Sequence, residues 1–254
     1  MLLAIDIGNT HTVIGCYDGR TLVDDWRITT HSARTADELG VLISNLFARR
    51  QNVTKPVDAA ILSSVVPSLT ETFVKMVDRT FAVRCRVVGP GLKTGMPILY
   101  ENPREVGADR IVNAVAASER WPQGLIIVDF GTATTFDVVT PDGAYLGGAI
   151  CPGVAIASDA LFRHAARLPR VEFARPKSVV GRNTVASIQS GLVYGYVALV
   201  EGLVARMRSQ LDFHCTVVAT GGLAARISRE TDIIEHVDER LTLDGLCILH
   251  ERNL

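Results

Sequence analysis

Two short segments carry the residues best suited to chemistry. Asp6-Ile7-Gly8-Asn9-Thr10 and Asp129-Phe130-Gly131-Thr132 each end an apolar run with an acid, a glycine and a hydroxyl. A tight glycine turn exposes successive backbone N–H groups that can converge on phosphate oxygens. Hydroxyls of Thr10, Thr12 and Thr132 can add donors. Two carboxylates would repel a polyphosphate unless cations lay between them. Asp6 and Asp129 are therefore natural ligands, direct or through water, for magnesium or another hard cation. A single turn of this kind reads equally well as a capped hairpin entrance. Two copies after matching strands favour a nucleotide.

Asp109 is the third candidate. It follows Gly107-Ala108 and precedes Arg110 and the apolar positions Ile111, Val112, Val115 and Ala116. That places it at a helix start, where a carboxylate is favoured. It serves there either as a cap or as a proton acceptor beside a substrate hydroxyl. Arg110 reads as a surface charge or as a bidentate partner for a substrate carboxylate. Tyr100, in the Pro97 to Pro103 loop, is a binding-loop residue or a packing aromatic.

Competing motifs fail. Gly89-Pro90-Gly91-Leu92-Lys93-Thr94 lacks the glycine spacing of a phosphate loop or a dinucleotide fingerprint. No G-x-S-x-G elbow occurs. Cys151 follows a glycine-rich strand but has no evident base nearby in sequence, so it reads as inert. The 5 cysteines are scattered without a CxxC pair, and the 6 histidines form no HExxH. Both facts argue against a disulfide framework or a zinc site and fit a reducing cytoplasm. Arg163 to Arg182 is basic, and reads as a solvated or subunit-contacting loop.

The elements that must position these residues repeat. Leu2 to Ile7, His11 to Tyr17 and Thr21 to Ile28 read as strands, with a turn at Asp18-Gly19. A helix follows from Ala36 to about Arg49, with Thr35 and Glu38 spaced as a capping box. Ala59 to Val66 is a strand, Pro67 opens the next helix, and Val83 to Val88 is a strand. About half the chain later, Leu125 to Phe130, Thr135 to Thr140 and Ala144 to Ile150 repeat strand, acidic turn, hairpin and third strand. Thr184 to Gln210 and Leu241 to Arg252 are helices, and Cys215 to Thr220 is a strand ending in Gly221-Gly222. The recurrence implies two related α/β halves, residues 1–118 and 119–254, with mixed sheets facing a cleft where the acidic turns meet.

The 254 residues are 48% hydrophobic and 21% charged, enough for a sizeable core, and the net charge of -1 argues against nucleic acid or anionic membrane as partner. The first residues lack the pattern of a signal peptide. Val193 to Val204 is the nearest approach to a membrane span, but Tyr194, Tyr196 and Glu201 interrupt it, so it reads as a buried helix.

Together these motifs resemble the type III pantothenate kinases, whose fold belongs to the acetate and sugar kinase, Hsp70 and actin superfamily. The acidic turns alone would identify only the superfamily. Gly107-Ala108-Asp109-Arg110, with Gly181-Arg182-Asn183-Thr184, points to the family; Gly147-Gly148-Ala149-Ile150, Pro152-Gly153 and Thr220-Gly221-Gly222 agree. The resemblance implies duplicated actin-like ATPase (RNase H-like) α/β halves around a central cleft, and ATP-dependent phosphorylation of pantothenate. It implies that Asp6, Ile7, Gly8, Asn9, Thr10, His11, Thr12 and Val13 line the ATP phosphates with Thr132, and that magnesium accompanies ATP. Asp129 would hold potassium or ammonium, and Asp109 would be the catalytic base. Tyr100, Gly107, Ala108, Asp109, Arg110 and Thr184 would bind pantothenate. It further implies a homodimer, with Thr184 of one chain approaching Asp109 and Arg110 of the other. The alternatives are a kinase for another small acceptor, or a regulatory protein that kept the fold without turnover.

Overall fold

In a computed structural model, residues 1–49 and 55–254 are described. They form two units: Met1–Arg120 with Arg240–Leu254, and Trp121–Glu239.

The first unit is built on β1 (Leu2–Ile7), β2 (His11–Asp18), β3 (Thr21–Thr29), β4 (Ala59–Ser64) and β5 (Cys85–Val87), with helices α1 (Ala36–Ala48), α2 (Pro67–Phe81) and α3 (Ala108–Arg120). The strand order is β3-β2-β1-β4-β5, antiparallel on the hairpin side of β1 and parallel on the other. Odd positions of β1 (Leu3, Ile5, Ile7) pack with Leu39 and Ile43 of α1 and Phe73, Met76 and Val77 of α2. The α1 capping box forms as its spacing predicts: Thr35 Oγ1 accepts from the Glu38 N–H, and the Thr35 N–H donates to Glu38 Oε2 at 2.8 Å. Pro67 stands in the first turn of α2.

The second unit contains β6 (Leu125–Phe130), β7 (Ala133–Val139), β8 (Tyr145–Pro152), α4 (Val154–His164), α5 (Thr184–Gln210), β9 (Thr216–Gly221), α6 (Ala224–Ile227) and β10 (His236–Val237). Its sheet order, β10-β9-β6-β7-β8, is that of the first unit read from the other edge, again with one parallel and one antiparallel flank on the acid-bearing strand. The duplication in the sequence is thus a duplication of topology. Val193, Tyr196, Val197, Val200 and Val204 form one buried stripe of α5 against Ile126, Val128, Phe130, Phe136 and Val138. By length and hydropathy α5 could cross a membrane, with 33% of its most apolar window buried. That stripe is the packing face of a core helix.

The last helix, α7 (Leu241–Glu251), departs from chain order. A division at 118/119 assigns it to the second half, whereas it belongs to the first compact unit. Its Leu241, Leu246 and Leu249 are fully buried. Tyr17 Oη donates to Asp244 Oδ1 at 2.7 Å, and Arg120 pairs with Asp244 Oδ2 at 2.7 Å. Arg20 bridges Glu119 and Glu251, both at 2.6 Å, a pairing that exposure keeps weak. Helices α3 and α7 meet so closely that a Cβ on Gly245 would run into the Val112 carbonyl. Gly245→Ala should therefore lower unfolding stability by about 1–3 kcal/mol, read as a lower urea midpoint; an unchanged midpoint would mean the helices can separate freely.

Candidate functional site

The acid-bearing turn of the first unit is braced from behind. The Gly8 N–H donates to the His11 carbonyl at 3.0 Å, closing the turn. Thr30 Oγ1 donates to the Gly8 carbonyl at 2.8 Å and shares a 2.9 Å hydrogen bond with Thr12 Oγ1. Thr12 is buried, in register with Ile7, and so lies on the face opposite Asp6. Its hydroxyl, expected as a phosphate donor, instead supports the turn. Asn9, Thr10 and His11 are exposed, Asp6, Gly8 and Val13 are half-buried, and Ile7 is core. The groups open to a ligand are thus the tip of the turn and the Asp6 face.

The second unit repeats this with one residue fewer in the turn. The Gly131 N–H donates to the Ala133 carbonyl, and the Gly153 N–H donates to the Thr132 carbonyl at 3.1 Å. Asp129 and Thr132 are both half-buried. Gly221, which ends β9, has φ +89°, and a Cβ there would lie 2.5 Å from Asp129 Oδ1. Glycine at 221 thus lets the end of β9 lie close against Asp129 and the Phe130 backbone, an approach that any side chain would block. Among the described residues no group of three or more His, Cys, Asp or Glu side chains is placed to hold a metal. A cation here would draw its other ligands from backbone, water or phosphate.

Asp109 lies in the first turn of α3. Its Oδ1 accepts the Arg110 N–H at 2.8 Å. A Cβ on Gly107 would sit 2.6 Å from that oxygen, so the glycine lets the carboxylate fold back over the helix start. Burial pushes the Asp109 carboxyl above the usual aspartate range, against the opposing pull of the Arg110 N–H and guanidinium charge. Arg110 is only 7% exposed, which removes the reading of it as a surface charge. Asp6, Asp109 and Arg110 belong to one unit. Tyr100, in the same unit, is half-buried in the loop before α3.

Thr184 is exposed at the start of α5, whose cap is Asn183: its Oδ1 accepts the Ala186 N–H at 2.8 Å. An open groove of about 880 Å3 runs beside it, lined among others by Arg182, Asn183, Ser187, Gly191 and Leu161. The basic stretch that precedes α5 is partly neutralised within its own unit: Arg163 and Arg170 both pair with Asp159, and Arg175 pairs with Glu230. The described cysteines are all free, and burial raises the thiols of Cys16 and Cys85 to about 12. Sequence reasoning missed the role of Gly221 beside Asp129 and the brace at Thr30. The Thr220-Gly221-Gly222 run was visible, but its pairing with Asp129 depends on parallel β6 and β9.

The family model for type III pantothenate kinase matches residues 2–206. A type III pantothenate kinase of Anaeromyxobacter sp. (strain Fw109-5) is 64% identical over 253 residues, covering 100% of both chains. That of Myxococcus xanthus (strain DK1622) is 59% identical, covering 100% of this chain and 99% of its own. Among solved structures, the inorganic polyphosphate/ATP-glucomannokinase of Arthrobacter sp. strain KM superimposes with a TM-score of 0.53 at 13% identity, over 99% of this chain and 98% of that one. That likeness is one of fold.

A carboxyl pKa raised in the folded state means that ionising Asp109 costs the fold stability. The cost is absent below the unfolded pKa and grows as pH rises through the folded one. Asp109→Asn should melt at or above the wild-type temperature at about pH 7.5, the gap closing as pH falls toward about 4. A variant melting well below wild type at the higher pH would contradict the burial-driven shift.

Proposed function

The chain belongs to the type III pantothenate kinase family, and we infer from this that it is an ATP-dependent kinase that phosphorylates pantothenate in coenzyme A biosynthesis. The observation that carries the chemistry is the Asp109 carboxylate, held at a helix start with its pKa raised by burial. A carboxylate raised toward neutrality is a better-matched general base than an ordinary aspartate. Asp109 takes the proton of pantothenate's primary hydroxyl as that oxygen attacks the γ-phosphorus, and the bond to ADP breaks. Arg110, with Tyr100, Gly107 and Ala108, binds the acceptor, the guanidinium facing its carboxylate. The exposed tip of the turn within Asp6 to Val13, braced from behind by Thr12, and Thr132 in the second unit are the groups that bind the ATP phosphates.

Magnesium bound to ATP and a potassium or ammonium ion at Asp129 supply the charge neutralisation that phosphoryl transfer needs. This soluble enzyme's free cysteines suit the reducing cytoplasm.

A coupled assay with pantothenate, ATP, magnesium and potassium tests the reading. Wild type should turn over and lose most activity when a bulky organic cation replaces potassium. Asp109→Asn should reduce kcat by roughly 10²–10⁴-fold, with ATP affinity by calorimetry little changed. Near-wild-type kcat in the variant sinks the base assignment, and no turnover of pantothenate by wild type sinks the acceptor.

A homodimer completes the reading. The outward face of α5 is a run of small residues, Ser187, Gly191, Gly195 and Ala198, all exposed. Nearby, Val179, Val180 and Val185 are exposed at 62%, 76% and 45%. An apolar face of this kind suits a second copy of α5 packed close by two-fold symmetry, with Thr184 of each chain serving its partner's acceptor site. A Cβ on Gly195 meets nothing within 4 Å, so Gly195→Trp should keep the helical circular dichroism yet shift light scattering from dimer to monomer. A wild type that runs as a monomer at micromolar concentration would contradict the dimer.

A further inference from the structure

Beside Asp6 stands a hydroxyl that the proposed reaction leaves unused. Strands β1 and β4 are parallel, and Asp6 is in register with Ser63. Register partners on neighbouring strands send their side chains to the same face of the sheet. Leu3, Ile5 and Ile7 point to the α1 and α2 core. The Asp6 face is the opposite one, where Tyr17, the register partner of Leu2, reaches Asp244 of α7. Along that face β4 reads Ala59, Ile61, Ser63, so its one polar group comes at the C-terminal end. Ligands gather at that end of parallel strands.

Ser63 is 0% exposed, and its Oγ has no hydrogen-bond partner. A buried hydroxyl left unpaired costs stability that an alanine would not. Its neighbour shows the contrast: Ser64 Oγ donates to the Val66 carbonyl and accepts the Val66 N–H, both at 3.1 Å, and so shapes the start of α2. No such local duty accounts for Ser63.

The second unit repeats the pairing. Asp129 at the end of β6 is in register with Thr220 on parallel β9, and Thr220 is also buried. The turns that follow the two acids differ in length and sequence. The hydroxyl in register with the acid is kept in both.

We propose that Ser63 is a positioning residue for Asp6. With nucleotide and magnesium bound, its hydroxyl hydrogen-bonds the Asp6 carboxylate, directly or through one water, and holds the other lone pairs toward the metal's water shell. A carboxylate fixed in this way loses less freedom when it engages the metal. The inference rests on reading the first turn as the nucleotide site.

Calorimetric titration of ADP into wild type and Ser63→Ala, with magnesium and with chelator, tests it, alongside thermal melts. The expected result is a variant that melts no lower than wild type and binds ADP about three- to tenfold more weakly in magnesium. Without magnesium the two should bind alike. Ser63→Cys, similar in size but a weaker donor, should fall between them. Equal affinity in magnesium overturns the proposal, as does a loss of the same size without it, or a loss accompanied by a lowered melting temperature. If wild type binds no nucleotide, the nucleotide reading and this inference fall together. If it binds nucleotide but leaves pantothenate unphosphorylated, only the acceptor is wrong and the calorimetry still decides Ser63.

Discussion

A carboxylate at the end of an otherwise buried central strand is the constraint each unit is arranged around. In β1 every residue but Asp6 is buried, and in β6 every residue but Asp129. Both strands are paired on both edges, so neither acid can shift without moving a whole sheet. An ionised side chain tolerates that position only where water, a cation or donors reach it. The glycine turn just beyond each strand opens that access, its own N–H closing the turn on the His11 or the Ala133 carbonyl. Burial fixes the acid, and the turn makes it usable.

Much of the remaining structure keeps those strand ends rigid. Thr30 and Thr12 brace the first turn from behind, and the N–H of Gly153 holds the second. Hydroxyls that look alike in the sequence divide between buried support and open positions according to the face they occupy. Thr12 falls on the core face and supports. Helix α7 closes over the Asp6 side of the first sheet, anchored by Tyr17 and Arg120 on Asp244. It packs against α3, the helix that carries Asp109. Loosening α7 therefore loosens the packing of the helix that carries Asp109.

At Asp109 opposed effects act on one carboxyl. The Arg110 N–H and charge would pull its carboxyl down, and burial pushes it up further than they pull. Gly107 permits this geometry because any side chain there would meet the carboxylate. The segment Gly107-Ala108-Asp109-Arg110 therefore works as one unit, with space, acid and cation supplied by successive residues.

Whatever depends on neighbours along the chain is readable from local pattern alone. The first strand and its acidic turn, the Thr35 and Glu38 capping box, Pro67 at the start of α2 and the length of α5 all follow from local pattern, which needs no distant partner. The repeat of strand, turn and hairpin was also legible, because a duplicated topology leaves a duplicated order of elements. Family membership was legible in the motifs around Asp109 and Thr184. Tertiary structure decided what depends on register and packing between segments far apart in sequence. It set Ser63 beside Asp6, Gly221 against Asp129, Thr12 on the face opposite Asp6, and α7 in the first unit rather than the second. Parallel pairing joins strands separated by long crossovers, and periodicity within a strand says which residues share a face but not which strand lies next to it.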